Sequence, residues 1–140
     1  CKTVKRHRVY RIVATKSFET VDGRFVEKGE PGGWLESALN LSQDGRCWID
    51  DDAVVLGDGS VLDNALVADE VMCEGILQDN AIARGKACIE FGAICRDNTL
   101  VCDNALIKEG AIVMDNATVA EDAIVCKNAV IGDDTYYTSR

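Results

Sequence analysis

From Gly45 onward, hydrophobic and polar residues alternate in blocks of six. The blocks are GRCWID, DDAVVL, GDGSVL, DNALVA and DEVMCE, then a short GILQ, and then ten further blocks from DNAIAR to DDTYYT. The third position is Ala in ten of the fifteen full blocks, and the fifth is Val or Ile in eleven. Residues two apart on a strand point to the same side, so positions 3 and 5 predict the inward face of a short strand.

The second block position predicts a corner. It is Asn, Asp or Gly in twelve of fifteen blocks, and these residues adopt left-handed backbone at low cost. Six residues per strand and corner, with no helical period, predict an all-β parallel β-helix.

The corners also repeat every 18 residues, which predicts three blocks per coil. Asp-Asn pairs begin at 79, 97 and 115, and the pair at 63 lies 16 residues before 79 because GILQ is two residues short. Residues 45–138 then form about five coils. Stacking predicts a ladder of side-chain amides from Asn64, Asn80, Asn98 and Asn116.

Residues 1–44 lack this period and predict an N-terminal basic arm, a β-hairpin and a cap. Asp22-Gly23 is a hairpin turn signal between Phe18 and Val26. An open solenoid end exposes unpaired strand edges, so a cap is expected. Phe18, Phe25 and Trp34 hold much of the large apolar area outside the coils and are predicted to plug the first coil. The alternative for Gly32-Gly33 is a ligand-binding loop.

Charge divides the chain of 140 residues into two parts. The net charge is -9, yet residues 1–16 hold six cations and no acid, which leaves -15 on the remainder. The favoured interpretation of the basic part is a solvated strand on an acidic body; a phosphate-binding tail is the alternative.

Histidine and cysteine usage limits the chemistry. A single His excludes a triple-His zinc site within one chain, and seven Cys without a C-x-x-C pair favour reduced, buried thiols. No stretch resembles a signal peptide or a transmembrane segment. We therefore expect a cytoplasmic protein with no membrane partner, no metal and no cofactor.

Three motifs resemble those of known proteins. They are Gly32-Gly33-Trp34, Asn40-Leu41-Ser42-Gln43-Asp44-Gly45 and Cys47-Trp48-Ile49. They resemble a group of bacterial and phage proteins in which GGW, NLSQ-x-G and C-W-I precede a hexapeptide solenoid. The repeats are similar to those of the left-handed β-helix hexapeptide family, which implies triangular coils. The group includes an enterobacterial protein assigned as an acetyltransferase on fold similarity, and the activity of most members is unknown.

Hexapeptide acyltransferases usually place a catalytic His on the coils or on a loop over the acyl-CoA cleft. This chain has no His after His7 and no insertion from Asp79 onward. His7 would have to come from a neighbouring subunit's arm. Acetyl-CoA is therefore a cofactor only under an alternative acyltransferase hypothesis, and no catalytic, cofactor-binding or metal residue is assigned.

The fourth block position should point outward, yet it is apolar in thirteen of fifteen blocks. Apolar patches of this size predict a subunit interface. A homotrimer is the family habit, a dimer is possible, and simple strand propensity is the alternative. The predicted interface residues are Leu66, Ile82, Leu100, Leu106, Ile112 and Ile124.

Acidic residues stack at one corner, in the column Asp63, Asp79, Asp97, Asp115 and Asp133. Like charges at strand spacing repel. The row could bind a hard cation or a basic protein partner. The favoured alternative is that each carboxylate accepts a hydrogen bond from its own turn and stays solvated.

The sequence therefore favours a non-catalytic, oligomeric β-helix scaffold or binding module. An acyl-CoA-dependent acyltransferase is the first alternative. A phage-type inhibitor that sequesters a ligand, or imitates nucleic acid through acidic ridges, is the second.

Overall fold

The structure, a computed structural model, describes residues 2–4 and 6–138. An N-terminal block precedes the repeats. Its strands are β1 (Lys2–Val4), β2 (His7–Val13), β3 (Phe18–Glu19), β4 (Phe25–Val26) and β5 (Pro31–Leu35). A 3₁₀ helix follows at Ala38–Asn40, where the Ser37 side chain accepts the Leu39 N–H and the Asn40 side chain accepts the Ser37 N–H.

Sixteen two-residue strands follow among the described residues. They are β6 (Trp48–Ile49), β7 (Val54–Val55), β8 (Ser60–Val61), β9 (Leu66–Val67), β10 (Met72–Cys73), β11 (Ile76–Leu77), β12 (Ile82–Ala83) and β13 (Cys88–Ile89). The remainder are β14 (Ile94–Cys95), β15 (Leu100–Val101), β16 (Leu106–Ile107), β17 (Ile112–Val113), β18 (Thr118–Val119), β19 (Ile124–Val125), β20 (Val130–Ile131) and β21 (Tyr136–Tyr137).

These strands stack in parallel into three sheets, which confirms the predicted all-β solenoid. Sheet 1 has the order β1-β2-β5-β7-β10-β13-β16-β19, sheet 2 the order β8-β11-β14-β17-β20, and sheet 3 the order β6-β9-β12-β15-β18-β21. Within sheet 1, β2 pairs antiparallel with both β1 and β5. There are about six turns, one more than the predicted five. The additional turn lies before Gly45, where Trp34 on β5 pairs in parallel with Val54 and Leu41 bridges Val61.

The interior is a column of small and branched side chains. The inward Ala and Val or Ile residues of successive turns are buried, and the largest of them include Ile49, Leu77, Ile89 and Ile107. Burying such a side chain contributes about 1.5–3 kcal/mol. Ile12 and Leu35 pack against this core at the N-terminal end, and Ile131 and Tyr137 at the other.

The corners differ from the prediction. At two of the three corners the first block position, not the second, has positive φ, as at Asp51, Asp63 and Asp97. The second position has positive φ only at the remaining corner, at Gly92, Gly110 and Asn128 among the described residues. Asp is one of the few residues other than glycine that enter this region at low cost.

The shortened block is accommodated at Gly75, without loss of register. β11 still pairs with β8 and β14. A Cβ on Gly75 would lie 2.5 Å from the Ala93 carbonyl oxygen and 2.8 Å from that of Glu90. Only glycine allows this close approach to the next turn.

Candidate functional site

The five predicted ridge residues do stack, and four of their carboxylates are hydrogen-bonded to the next turn. The N–H groups of Asp79, Asp97, Asp115 and Asp133 each donate to Oδ2 of the Asp one turn earlier, at 2.8–3.1 Å. The sequence predicts that each Asp carboxylate accepts an N–H group of its own turn. In the structure the donor is the N–H group of the next turn. One carboxylate oxygen of each of Asp63, Asp79, Asp97 and Asp115 therefore stabilises the stack.

The amide ladder is confirmed. Side-chain hydrogen bonds of 3.0–3.2 Å join Asn64 to Asn80, Asn80 to Asn98, and Asn98 to Asn116. The Asn116 amide then donates to Asp134 at 3.1 Å. This corner is a continuous structural network.

The six predicted interface residues do not share one face. Leu106 and Ile124 lie on sheet 1, Ile112 on sheet 2, and Leu66, Ile82 and Leu100 on sheet 3. No single flat contact can bury all six, because the three sheets face different directions.

The N-terminal block covers the outer face of sheet 3 at its first turns. Leu66 is 2% exposed and packs with Ala14, Val26 and Trp48 of its own chain, so it has little surface left to contact a second copy. Ile82 packs at the edge of the same cluster. The fourth block position is mostly apolar on all three sheets, so the sequence does not indicate which sheet the N-terminal block covers.

The predicted cap residues lie outside the coil interior. Phe18 contacts the outer side of Trp48 edge to face, with ring centroids 5.4 Å apart. Phe25 is 58% exposed, because Val26, its neighbour on the two-residue strand, is the side chain that points inward. The guanidinium of Arg11 lies 4.8 Å from the Trp34 ring centroid. The plug of the first coil is Ile12 and Leu35 instead.

Sheet 2 presents an apolar stripe on its outer face. We define the sheet 2 stripe as Ile76, Ile94, Ile112 and Val130, which are register partners in successive turns. Val130 is 57% exposed and the other three are partly exposed. Sheet 2 has one charged residue among its five outward neighbours, and sheet 1 has three. Those on sheet 2 are Leu62, Gln78, Arg96, Met114 and Gly132, and those on sheet 1 are Leu56, Glu74, Glu90, Lys108 and Cys126.

His7 is held in a structural contact. Its Nδ1 lies 2.8 Å from Glu36 Oε2, and the Gly57 N–H donates to Glu36 Oε1 at 2.7 Å. The hydrogen bonds from His7 and Gly57 lower the pKa of Glu36. The contact joins β2 to the first two turns.

The described residues contain no disulfide, and only some of the thiols are buried as predicted. Cys47, Cys73 and Cys95 are buried, Cys88 and Cys102 are intermediate, and Cys126 is exposed. Burial raises the pKa of Cys47 to about 11 and that of Cys73 to about 12. A thiol so protonated at neutral pH is a poor nucleophile and metal ligand. Within residues 6–138 no group of three or more His, Cys, Asp or Glu is placed to hold a metal ion.

A cavity of about 470 Å³ opens between the N-terminal block and the first turn. Its apolar walls include Ile12, Leu35, Leu41, Phe18 and Trp48, and Cys47 also lines it. Its polar lining includes Thr15, Lys16, Glu36, Ser37, Ser42 and Gln43. The size is that of a small-molecule site. Sequence reasoning missed this cavity, although its lining includes Leu41, Ser42, Gln43 and Gly45 of the NLSQ-x-G motif.

No protein-family model, curated protein or solved structure matches this chain. In the described part of the chain, none of the helical structure has the length and apolarity needed to cross a membrane. What the chain does must therefore be inferred from its own surfaces.

Proposed function

We propose that this protein is a non-catalytic β-solenoid interaction module that self-associates through sheet 2. The observation that carries the proposal is the sheet 2 stripe, four aliphatic side chains stacked one per turn on an outer face. A contiguous apolar patch of this kind is typical of a subunit contact.

The contrast between the three outer faces supports the choice of sheet 2. The N-terminal block covers Leu66 on sheet 3, and Val9 packs over Val54 and Leu56 on sheet 1. Beyond these turns, three charged outward residues flank sheet 1. On sheet 2, Arg96 is the one charged outward neighbour in the described turns, and Leu62 and Met114 extend the apolar surface.

We also propose a family and an origin for this solenoid. The six-residue period and the GGW and NLSQ-x-G motifs support a left-handed hexapeptide β-helix of bacterial or phage origin. That resemblance also supports a trimer, with three sheet 2 stripes around one axis.

Matched lysine substitutions test the choice of face. Ile94→Lys and Ile112→Lys change the sheet 2 stripe in turns four and five; Leu100→Lys and Leu106→Lys change sheets 3 and 1 in the same two turns. We expect the first pair to give the monomer mass of 15.2 kDa in size-exclusion chromatography with light scattering. The second pair should keep the parent mass. All four side chains are partly exposed, so circular dichroism should show each variant folded.

Two outcomes would contradict the proposal. One is an unchanged mass for both sheet 2 variants, and the other is dissociation by the sheet 1 or sheet 3 variant alone.

Acetyl-CoA distinguishes this function from the acyltransferase alternative. A ligand at 100 times its dissociation constant stabilises the folded state by about 2.7 kcal/mol and so raises the melting temperature. We expect acetyl-CoA to leave the melting temperature of this protein unchanged.

A further inference from the structure

The floor of the N-terminal cavity belongs to the hydrophobic core of the solenoid. Leu41 and Cys47 line the cavity and are members of the buried core cluster. Ile12 and Leu35, which also line it, pack against that cluster from above. An apolar group in the cavity would therefore continue the stack of aliphatic side chains by one more layer.

The polar lining offers mainly donors. Lys16 makes no ion pair or hydrogen bond with the described residues. The hydroxyl oxygens of Ser37 and Ser42 accept the N–H groups of Leu39 and Asp44 at 3.2 and 3.1 Å, which leaves each hydroxyl proton to donate. An ammonium and two hydroxyls suit an oxyanion.

The one acid of the lining already has partners on both oxygens. Glu36 is hydrogen-bonded to His7 through Oε2 and accepts the Gly57 N–H through Oε1. Because the hydrogen bonds from His7 and Gly57 lower the pKa of Glu36, its carboxylate is negatively charged at neutral pH and disfavours an anion close to it. The head group must therefore lie toward Lys16.

We propose that this cavity binds an amphipathic monocarboxylate, with its apolar tail against Ile12, Leu35, Leu41 and Trp48 and its carboxylate paired with Lys16. The volume of about 470 Å³ lies in the lower part of the range for small-ligand sites, which favours a tail of medium length. Binding is non-covalent, since the Cys47 thiol is buried and donates to the Ser42 carbonyl oxygen at 3.1 Å.

Titration with decanoate below its critical micelle concentration tests this site. Calorimetry should give saturable binding with one site per chain, and Trp48, which is 4% exposed and lines the cavity, should change its fluorescence. Decanol and decyltrimethylammonium have the same tail as decanoate but a neutral and a cationic head group. Each should bind at least fivefold more weakly than decanoate.

Two pairs of variants locate the site. Lys16→Glu should weaken decanoate binding roughly fivefold, the equivalent of one exposed charge pair of about 1 kcal/mol. Lys28 is an exposed lysine in the turn after β4 and lies outside the cavity, so Lys28→Glu should change decanoate binding by less than twofold. Ala38→Trp fills the cavity from an exposed position and should weaken binding at least tenfold, whereas Leu39→Trp, 86% exposed and outside the lining, should not.

Several results would overturn the proposal: no saturable binding, equal binding of the cationic probe, or unchanged binding by Ala38→Trp. Trp48 fluorescence could also change with protein concentration in the absence of decanoate. If Ala38→Trp blocks that change, a second copy of the chain occupies the cavity, and this result also overturns the proposal. These outcomes are independent of the sheet 2 stripe, which lies on a side face of the solenoid.

Discussion

Arg84 and Asp22, 62 residues apart in the chain, form an ion pair in which Nη2 of the arginine lies 2.9 Å from Oδ2 of the aspartate. Asp22 lies in the turn of the β3–β4 hairpin, and Arg84 follows β12 on sheet 3. The pair joins the N-terminal block to the third turn of the solenoid. It thus helps to determine which outer face is covered.

We predict a coupling energy of about 0.5–1 kcal/mol between these side chains, because both are partly exposed. A double-mutant cycle with Asp22→Asn and Arg84→Met, measured by urea unfolding, checks this value. Burial opposes ionisation of Asp22, but hydrogen bonds from Thr20, the Arg24 N–H and Arg84 lower its pKa overall. The coupling should therefore persist above the unfolded pKa and be lost as the pH falls through the folded pKa. Zero coupling at pH 7 would contradict the role of the pair.

Gly75 should be intolerant of any side chain. Gly75→Ala places a methyl group against two carbonyl oxygens of the next turn, and overpacking of this kind costs about 1–3 kcal/mol. The control is Gly92→Asn. A Cβ on Gly92 would make only an ordinary contact, 3.6 Å from the Gly110 nitrogen, and its φ of +79° is close to the 62° of Asn128 at the same corner. Chemical unfolding should show a much smaller loss for Gly92→Asn; equal losses would contradict the account of the shortened block.

Thr99 is an inward residue with an unsatisfied hydroxyl. It is 2% exposed, and Oγ1 has no hydrogen-bond partner among the described residues. Thr99→Val keeps the shape and removes the buried polar group, so the free energy of unfolding should rise by about 1 kcal/mol or more. The matched change Thr118→Val, on the partly exposed outer side, should stay within about 0.5 kcal/mol. A loss of stability in Thr99→Val would show that this hydroxyl has a partner in solution.

The buried carboxyl of Asp50 should give the folded state an opposite pH dependence to that of Asp22. Burial, and then the charge of Asp51, raise the pKa of Asp50, although Arg24 Nε lies 3.2 Å away and opposes the shift. A raised folded pKa means that the folded state binds the proton more tightly, so stability falls as the pH rises from the unfolded pKa through the folded pKa.

Asp50→Asn isolates this effect. The free energy of unfolding of the parent chain minus that of Asp50→Asn should decrease as the pH rises from about 4. Urea unfolding at a series of pH values measures it. A difference that increases over this range would contradict the direction of the shift.

The repeat was predictable from the sequence because each turn imposes the same local requirement. Ala and a branched residue at positions 3 and 5 specify the inward face, and the 18-residue spacing places Asn64, Asn80 and Asn98 in one ladder. Two parts of that prediction needed correction. The left-handed residue is the Asp at position 1 at two corners, and the first turn is built partly from β5, which has no six-residue pattern.

The covering of the outer faces was not predictable in the same way. Leu66, Ile94 and Leu106 occupy the same block position, yet only Leu66 is covered by the hairpin. The difference arises from the path of residues 14–26 and from contacts such as that of Phe18 with Trp48. These contacts join residues far apart in the chain and follow no period. The cavity escaped prediction for the same reason, since it lies between two segments that meet only in the folded chain.

The mass of the unaltered chain in solution tests the central claim most directly. Sedimentation equilibrium over a wide range of protein concentration should give three times the chain mass of 15.2 kDa, because the sheet 2 stripe is buried only when copies associate. A mass of two chains would keep the contact and overturn the trimer. A mass of 15.2 kDa at every concentration would contradict self-association through sheet 2.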